Sequence, residues 1–149
     1  MKLTLFTDYS MRVLLYLAAR PDRLCSIAEV ARAYGISQNH LMKVVNQLAR
    51  TGYVESVRGR FGGIRLGKPA EDINVGALIR HTEDRFDLVD CGSCVIAPAC
   101  GLTGVLKEAL GAFLTVLDRY TLADLMTKRD DLARLFAATD YETAALPRG

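Results

Sequence analysis

The sequence is 149 residues long, half hydrophobic, and carries a formal net charge of +2, which allows a buried core and excludes a generically disordered chain. No run reaches the roughly 18 apolar residues of a membrane helix, and the opening MKLTLFTDYSMRV is interrupted by Asp8, Tyr9, Ser10 and Arg12, so no span or signal peptide is read and a cytoplasmic location is expected. The charge is uneven: residues 1–70 hold eleven Lys/Arg against four Asp/Glu and residues 71–149 eight against thirteen, a basic half that suits nucleic acid or an anionic membrane.

Tyr9, Val13, Leu14, Leu17 and Ala18 recur at helical spacing and predict a helix over Thr7–Arg20 with Thr7 as N-cap, ended by Pro21. Ser26 and Glu29 form a capping box, in which each side chain satisfies a backbone donor of the other, and open a short helix that Gly35 stops after Tyr34. Ser37 is read as the N-cap of a second helix with Leu41, Val44, Val45 and Leu48 inward and Thr51-Gly52 as its stop. Two capped helices across a turn beginning with glycine make a helix-turn-helix. The outward face of the second helix carries Gln38, Asn39, His40, Lys43, Asn46 and Gln47 with no acid among them. Such side chains read base edges, whereas a purely structural helix more often pairs Glu with Lys there.

Tyr53–Val57 and Ile64–Leu66 read as two short strands around Arg58-Gly-Arg-Phe-Gly-Gly63. A basic hairpin directly after a recognition helix is a wing, with glycines shaping its tip and arginines reaching phosphates or a narrow minor groove. The expected nucleic-acid contacts are Ser37, Gln38, Asn39, His40 and Lys43 in the major groove and Arg58 and Arg60 at the wing. Residues 1–70 are thus read as the DNA-binding domain of a mainly α fold with a small β-hairpin.

After a connection at 69–72, Ile73, Val75, Leu78 and Ile79 fit a short helix to about Glu83, and residues 84–101 show no period. Residues 71–101 are read as a connecting helix and cysteine loop, and 102–149 as a dimerisation helix with C-terminal helices. The long helix carries Leu102, Leu106, Ala109, Leu110, Phe113, Leu117 and Tyr120 on one stripe, widened by Val105, Leu114 and Val116. That is more apolar surface than one small chain covers, so a homodimer through about Thr103–Arg119 is expected. Thr121 and Asp124 form a capping box for a short helix, Asp130–Ala138 predicts another, and Thr139–Gly149 reads as frayed.

The loop holds Cys91, Cys94 and Cys100, while Cys25 stands apart beside the Ser26 cap. A Cys91–Cys94 disulfide or plain apolar packing does not account for three thiols in one Gly/Pro-containing loop. Clustered thiolates favour soft metals, either zinc or an iron–sulfur cluster, with a fourth ligand from elsewhere. No Walker-type loop, Ser/His/Asp set or His-rich metal motif occurs, and Cys91-x-x-Cys94 lacks the βαβ context of a thiol oxidoreductase, so the chain is not read as an enzyme.

Phe6-Thr-Asp-Tyr-Ser10, Asn39-His-Leu-Met-Lys-Val-Val-Asn46, Val57-Arg-Gly-Arg-Phe-Gly-Gly-Ile-Arg-Leu66 and Cys94-x5-Cys100 together resemble the winged-helix iron–sulfur repressors, in particular their nitric-oxide-sensing branch. The resemblance covers about residues 1–130. It implies a homodimer on a long helix, a palindromic operator in double-stranded DNA, and a cluster that controls affinity and reacts with nitric oxide. It also implies that Cys91, Cys94 and Cys100 bind the cluster and that Asp8 supplies a fourth ligand from the other subunit. Two departures stand out. The Cys91-x-x-Cys94 gap is shorter than usual in the family, and Thr103 occupies the position where the IscR branch has a histidine. An oxygen ligand and a 4Fe–4S cluster are therefore expected ahead of a 2Fe–2S one. The alternatives are an iron–sulfur or redox-responsive regulator of cluster biogenesis, a zinc-stabilised winged-helix protein and, last, a thiol oxidoreductase using Cys91-x-x-Cys94.

Overall fold

Thr4, not Thr7, caps the first helix in the computed structural model, which describes residues 2–145. The Thr4 hydroxyl accepts the Thr7 N–H at 3.3 Å, so α1 runs Leu5–Ala19, and Thr7 lies fully buried inside its first turn. Phe6 packs against the core, which draws the helix start back by most of a turn. Beyond α1, Ser26 and Glu29 form the expected capping box of α2 (Ile27–Tyr34). Gly35 follows at φ 64°, a left-handed turn that glycine enters without the steric penalty of a Cβ. The next helix, α3 (Gln38–Arg50), starts after Ser37, whose side chain makes no capping bond.

Strands β1 (Val54–Val57) and β2 (Gly63–Leu66) pair antiparallel, with Val54 opposite Leu66 and Val57 opposite Gly63. Cys25 ties this hairpin to the helices through two backbone bonds with Ile64, of 2.9 and 2.7 Å. Helix α4 (Val75–Thr82) is capped by Asn74, which accepts the Ala77 N–H at 2.9 Å. The cysteine segment follows, irregular apart from a 3-10 turn at Ala97–Ala99, and leads into α5 (Leu102–Leu117). The stripe residue Tyr120 lies just beyond that helix. Thr121 and Asp124 cap a 3-10 turn over Ala123–Met126.

The last helix, α6 (Arg129–Ala145), is longer than the Asp130–Ala138 expectation and takes in part of the stretch read as frayed; residues 146–149 lie outside the described residues. Beyond Ala138, Asp140 forms an ion pair of 3.7 Å with Arg20 at the end of α1, which ties the extension to that helix. Phe136 is buried between the Tyr16 and Tyr34 rings, at centroid distances of 4.7 and 5.5 Å, and the Arg20 guanidinium lies over Tyr16 at 4.8 Å.

One core joins these parts. Leu14 and Leu17 of α1, Val30 of α2, Leu41 and Leu48 of α3, Ile64 of β2, Leu78 of α4 and Leu122 are all essentially inaccessible. Each such side chain contributes about 1.5–3 kcal/mol by leaving water. Helix α1 is the hub, packing on α3, α4, α6 and β2. By contrast, α5 has no buried residue: Leu102, Val105 and Val116 are exposed along it, as is Tyr120 just after it. It is held at its C-terminal end, where Asp118 pairs with Arg80 and the Tyr120 carbonyl accepts the Val75 N–H at 2.9 Å.

Candidate nucleic-acid interface and sensor loop

Burial of Leu41, Val44, Val45 and Leu48 fixes how α3 is turned. The opposite side is therefore outward, and Gln38, Asn39, His40, Lys43, Asn46 and Gln47 are all exposed along it, with Ser37 at its start. None of the expected contact residues is spent inside the protein. Arg58 and Arg60 are exposed at the hairpin tip, and neither has an acidic partner among the described residues. Arg65 differs, since its Nε donates to Glu55 at 2.7 Å across the two strands. The hairpin therefore keeps its unneutralised charge at the tip.

The three loop cysteines are unpaired, with Cys91 and Cys100 half-buried and Cys94 exposed. Backbone turns connect them, the Cys94 N–H reaching the Cys91 carbonyl at 3.3 Å and the Cys100 N–H the Ala97 carbonyl at 3.4 Å. Cys91 lines an open cavity of about 630 Å³ between residues 85–92 and the face of α5 carrying Thr103, Leu106, Lys107 and Leu110, and its Sγ lies 3.6 Å from the Thr103 hydroxyl. Cys94 and Cys100 do not line that cavity, and among the described residues no three His, Cys, Asp or Glu side chains converge as a ready metal cradle. The donor chemistry nonetheless fits a soft iron–sulfur group: three thiols, none in a disulfide, on a segment with little packing to resist their rearrangement.

Cys25 is of another kind. It is buried under the hairpin, and burial, followed by the nearby Glu29 charge, pushes its thiol up to about 11. A thiol so rarely ionised neither attacks nor ligates readily.

Asp8 lies on the first turns of α1, half-exposed, and its carboxylate accepts both Nε and a terminal nitrogen of Arg12 at 2.9 and 3.0 Å. Within one chain it therefore serves as an intrahelical ion pair. Sequence reasoning missed the neighbouring arrangement. Glu83, at the C-terminus of α4, accepts the Thr4 N–H at 2.8 Å and the Thr4 hydroxyl at 2.9 Å, while the buried Thr7 and Thr82 hydroxyls meet at 2.9 Å. Burial pushes the Glu83 carboxyl up, but hydrogen bonds from Thr7 and Thr4 outweigh it and hold the group below its ordinary value. This clasp fixes the start of the Asp8 helix to the residue that opens the cysteine segment. Contacts 79 and 75 residues apart in sequence leave no local signature.

Residues 3–128 match the model of the Rrf2 family, described as an iron-dependent transcriptional regulator. The chain belongs to the Rrf2 family. It is 55% identical over 141 residues to the HTH-type transcriptional regulator NsrR of Bacillus subtilis strain 168, covering 91% of this chain and 97% of that relative. It is 52% identical over 143 residues to the NsrR of Bacillus licheniformis, covering 92% and 100%. Among solved structures, T. potens IscR superposes with a TM-score of 0.70 at 26% identity, over all of this chain and 94% of that one. The sequence-level resemblance is borne out at the level of the family, and the mainly helical architecture with its two-stranded hairpin is that of the Rrf2 winged-helix proteins. The chain is a transcriptional regulator of that family.

Proposed function

We propose that the chain is a cytoplasmic, homodimeric repressor that binds a palindromic operator in double-stranded DNA, with an affinity set by an iron–sulfur cluster that reacts with nitric oxide. The observation that carries the DNA reading is the outward face of α3, polar and free of acid, beside a hairpin whose tip arginines have no acidic partner among the described residues. In this reading Ser37, Gln38, Asn39, His40 and Lys43 address base edges, and Arg58 and Arg60 the backbone or minor groove. The residues 1–70 form the reading head, and α5 pairs with a second copy through its uncovered apolar face. Two heads then address half-sites about 34 Å apart or a multiple of that. No helix among the described residues is long and apolar enough to cross a membrane.

Cys91, Cys94 and Cys100 hold the cluster, 4Fe–4S ahead of 2Fe–2S, and Asp8 of the second copy completes the set. The bound group supplies soft iron open to nitric oxide. The chain's own residues couple that site to the head. A carboxylate is a poorer partner for soft iron than a thiolate, and Arg12 offers Asp8 an alternative within its own helix. Because α1 packs on α3, whatever shifts the Asp8 turn is passed to the recognition helix. The similarity to HTH-type regulators named NsrR and the membership of an iron-dependent family support this reading.

The test is operator binding by anaerobic protein across a salt series, with Arg58→Ala and Arg60→Ala. Each variant loses affinity on every duplex, and the slope of log K against log salt falls by about 1 for a lost phosphate contact. An unchanged slope in both variants removes the hairpin from the interface.

A further inference from the structure

The hairpin tip carries a residue that neither the core nor the ion pairs use. Phe61 is 87% exposed, whereas Ile64, three positions on, is buried. Among the described residues its ring meets the guanidinium of its neighbour Arg60, 5.7 Å from the ring centroid. The Gly62 N–H donates to the Gly59 carbonyl at 3.0 Å, which closes a four-residue turn with Arg60 and Phe61 at its two central positions. The turn is specified by its glycines: Gly59 has φ 108°, and a Cβ on Gly62 would lie 2.1 Å from the Val57 carbonyl oxygen. Below the turn, the Cys25–Ile64 backbone bonds anchor β2 to the head. The aromatic ring is thus presented outward on a braced support.

We propose that Phe61 is a wedge that enters the minor groove of the bound duplex and partly unstacks one base step, bending the DNA around each wing. The proposal rests on the DNA-binding reading above. Charge selects the occupant: Arg65 is paired with Glu55, but Arg58 and Arg60 at the tip and Lys68 just past the hairpin have no acidic partner among the described residues, so the surface around the ring attracts a polyanion. Arg58 and Arg60, both exposed at the same tip, hold phosphates beside it while the ring reaches between bases. Apolar wedges on minor-groove proteins act in this way, exchanging base stacking for a bent duplex that contacts more protein. The preformed turn means that little backbone freedom is lost on insertion.

The test uses full-length anaerobic protein and a duplex selected by the wild type from a random-sequence pool, labelled at both ends for energy transfer and carrying 2-aminopurine at positions across each half-site. The wild type bends the duplex by about 20° or more and brightens 2-aminopurine at one step per half-site. Phe61→Ala abolishes both signals, weakens binding about tenfold, and leaves the salt slope unchanged, because stacking rather than a phosphate contact is lost. Phe61→Leu restores the bend and most of the affinity, since an aliphatic side chain also serves as a wedge. A wild type that binds without bending, or a Phe61→Ala protein that bends and binds like wild type, overturns the wedge alone. A wild type with no salt-dependent affinity for any duplex overturns the DNA reading with it.

Discussion

Glu83→Ala removes the clasp between the start of α1 and the end of α4. The Thr4 N–H and hydroxyl lose an acceptor at 2.8 and 2.9 Å, at a helix terminus where negative charge is favoured. Hydrogen bonds to a charged group contribute about 1.5–3 kcal/mol each, and Thr4 is exposed enough for water to replace part of both, so the expected loss is about 2 kcal/mol. For a chain of this size that lowers Tm by about 4–8 °C. Glu83→Gln keeps an acceptor oxygen and loses only the charge, so about half that loss is expected. The pH dependence carries the sign. The folded carboxyl sits below its unfolded value of about 4.3, so its contribution is present in full above that pH and is lost as pH falls through the folded value. Thermal melts from pH 7 down to pH 3 therefore show wild type and Glu83→Gln converging as the medium acidifies. Equal melting temperatures at pH 7, or a gap that widens toward pH 3, would refute the reasoning.

Serine at Cys91, Cys94 or Cys100 should each abolish the visible chromophore of anaerobically reconstituted protein, while Cys25→Ser leaves it; in the native apo-protein, a thiol reagent at neutral pH should label the three loop cysteines and spare Cys25, as peptide mapping will report. Leu110→Glu or Phe113→Glu should yield monomers by sedimentation with the helical content retained, because α5 buries no residue within its own chain. A monomeric wild type at micromolar concentration would count against α5 as the dimer seam.

The reading head was legible because its signals are local. The Ser26/Glu29 box, the left-handed Gly35 and the four apolar positions of α3 each lie within one or two turns of the residues they organise. Thr4 and Thr7 both offer a capping hydroxyl near the helix start, and tertiary contacts decide between them: Phe6 packs on the core and Glu83 holds Thr4. The packing of α6 rests on Phe136 meeting Tyr16 and Tyr34 and on Asp140 pairing with Arg20, contacts over a hundred residues apart that no window of sequence contains. In the sensor segment the thiols stand out by residue type, yet their arrangement is not set by periodicity, and the backbone turns between Cys91 and Cys100 do not by themselves bring the three together. Asp8 is legible as an acid on the first helix, and its Arg12 partner follows from i, i+4 spacing. The Glu83 clasp had no such sign, because Thr4 lies 79 residues away in sequence.

The central claim, that a cluster on the cysteine loop sets operator affinity, is tested most directly by one titration. Anaerobic protein of known iron and acid-labile sulfide content is bound to its selected duplex and titrated with nitric oxide, with the visible spectrum and the fluorescence anisotropy of the DNA recorded together. The account predicts iron and sulfide in the ratio of a 4Fe–4S cluster, and loss of the chromophore in step with release of the DNA. Full-strength binding that persists after the chromophore is gone, or equal affinity in iron-free protein, would contradict it.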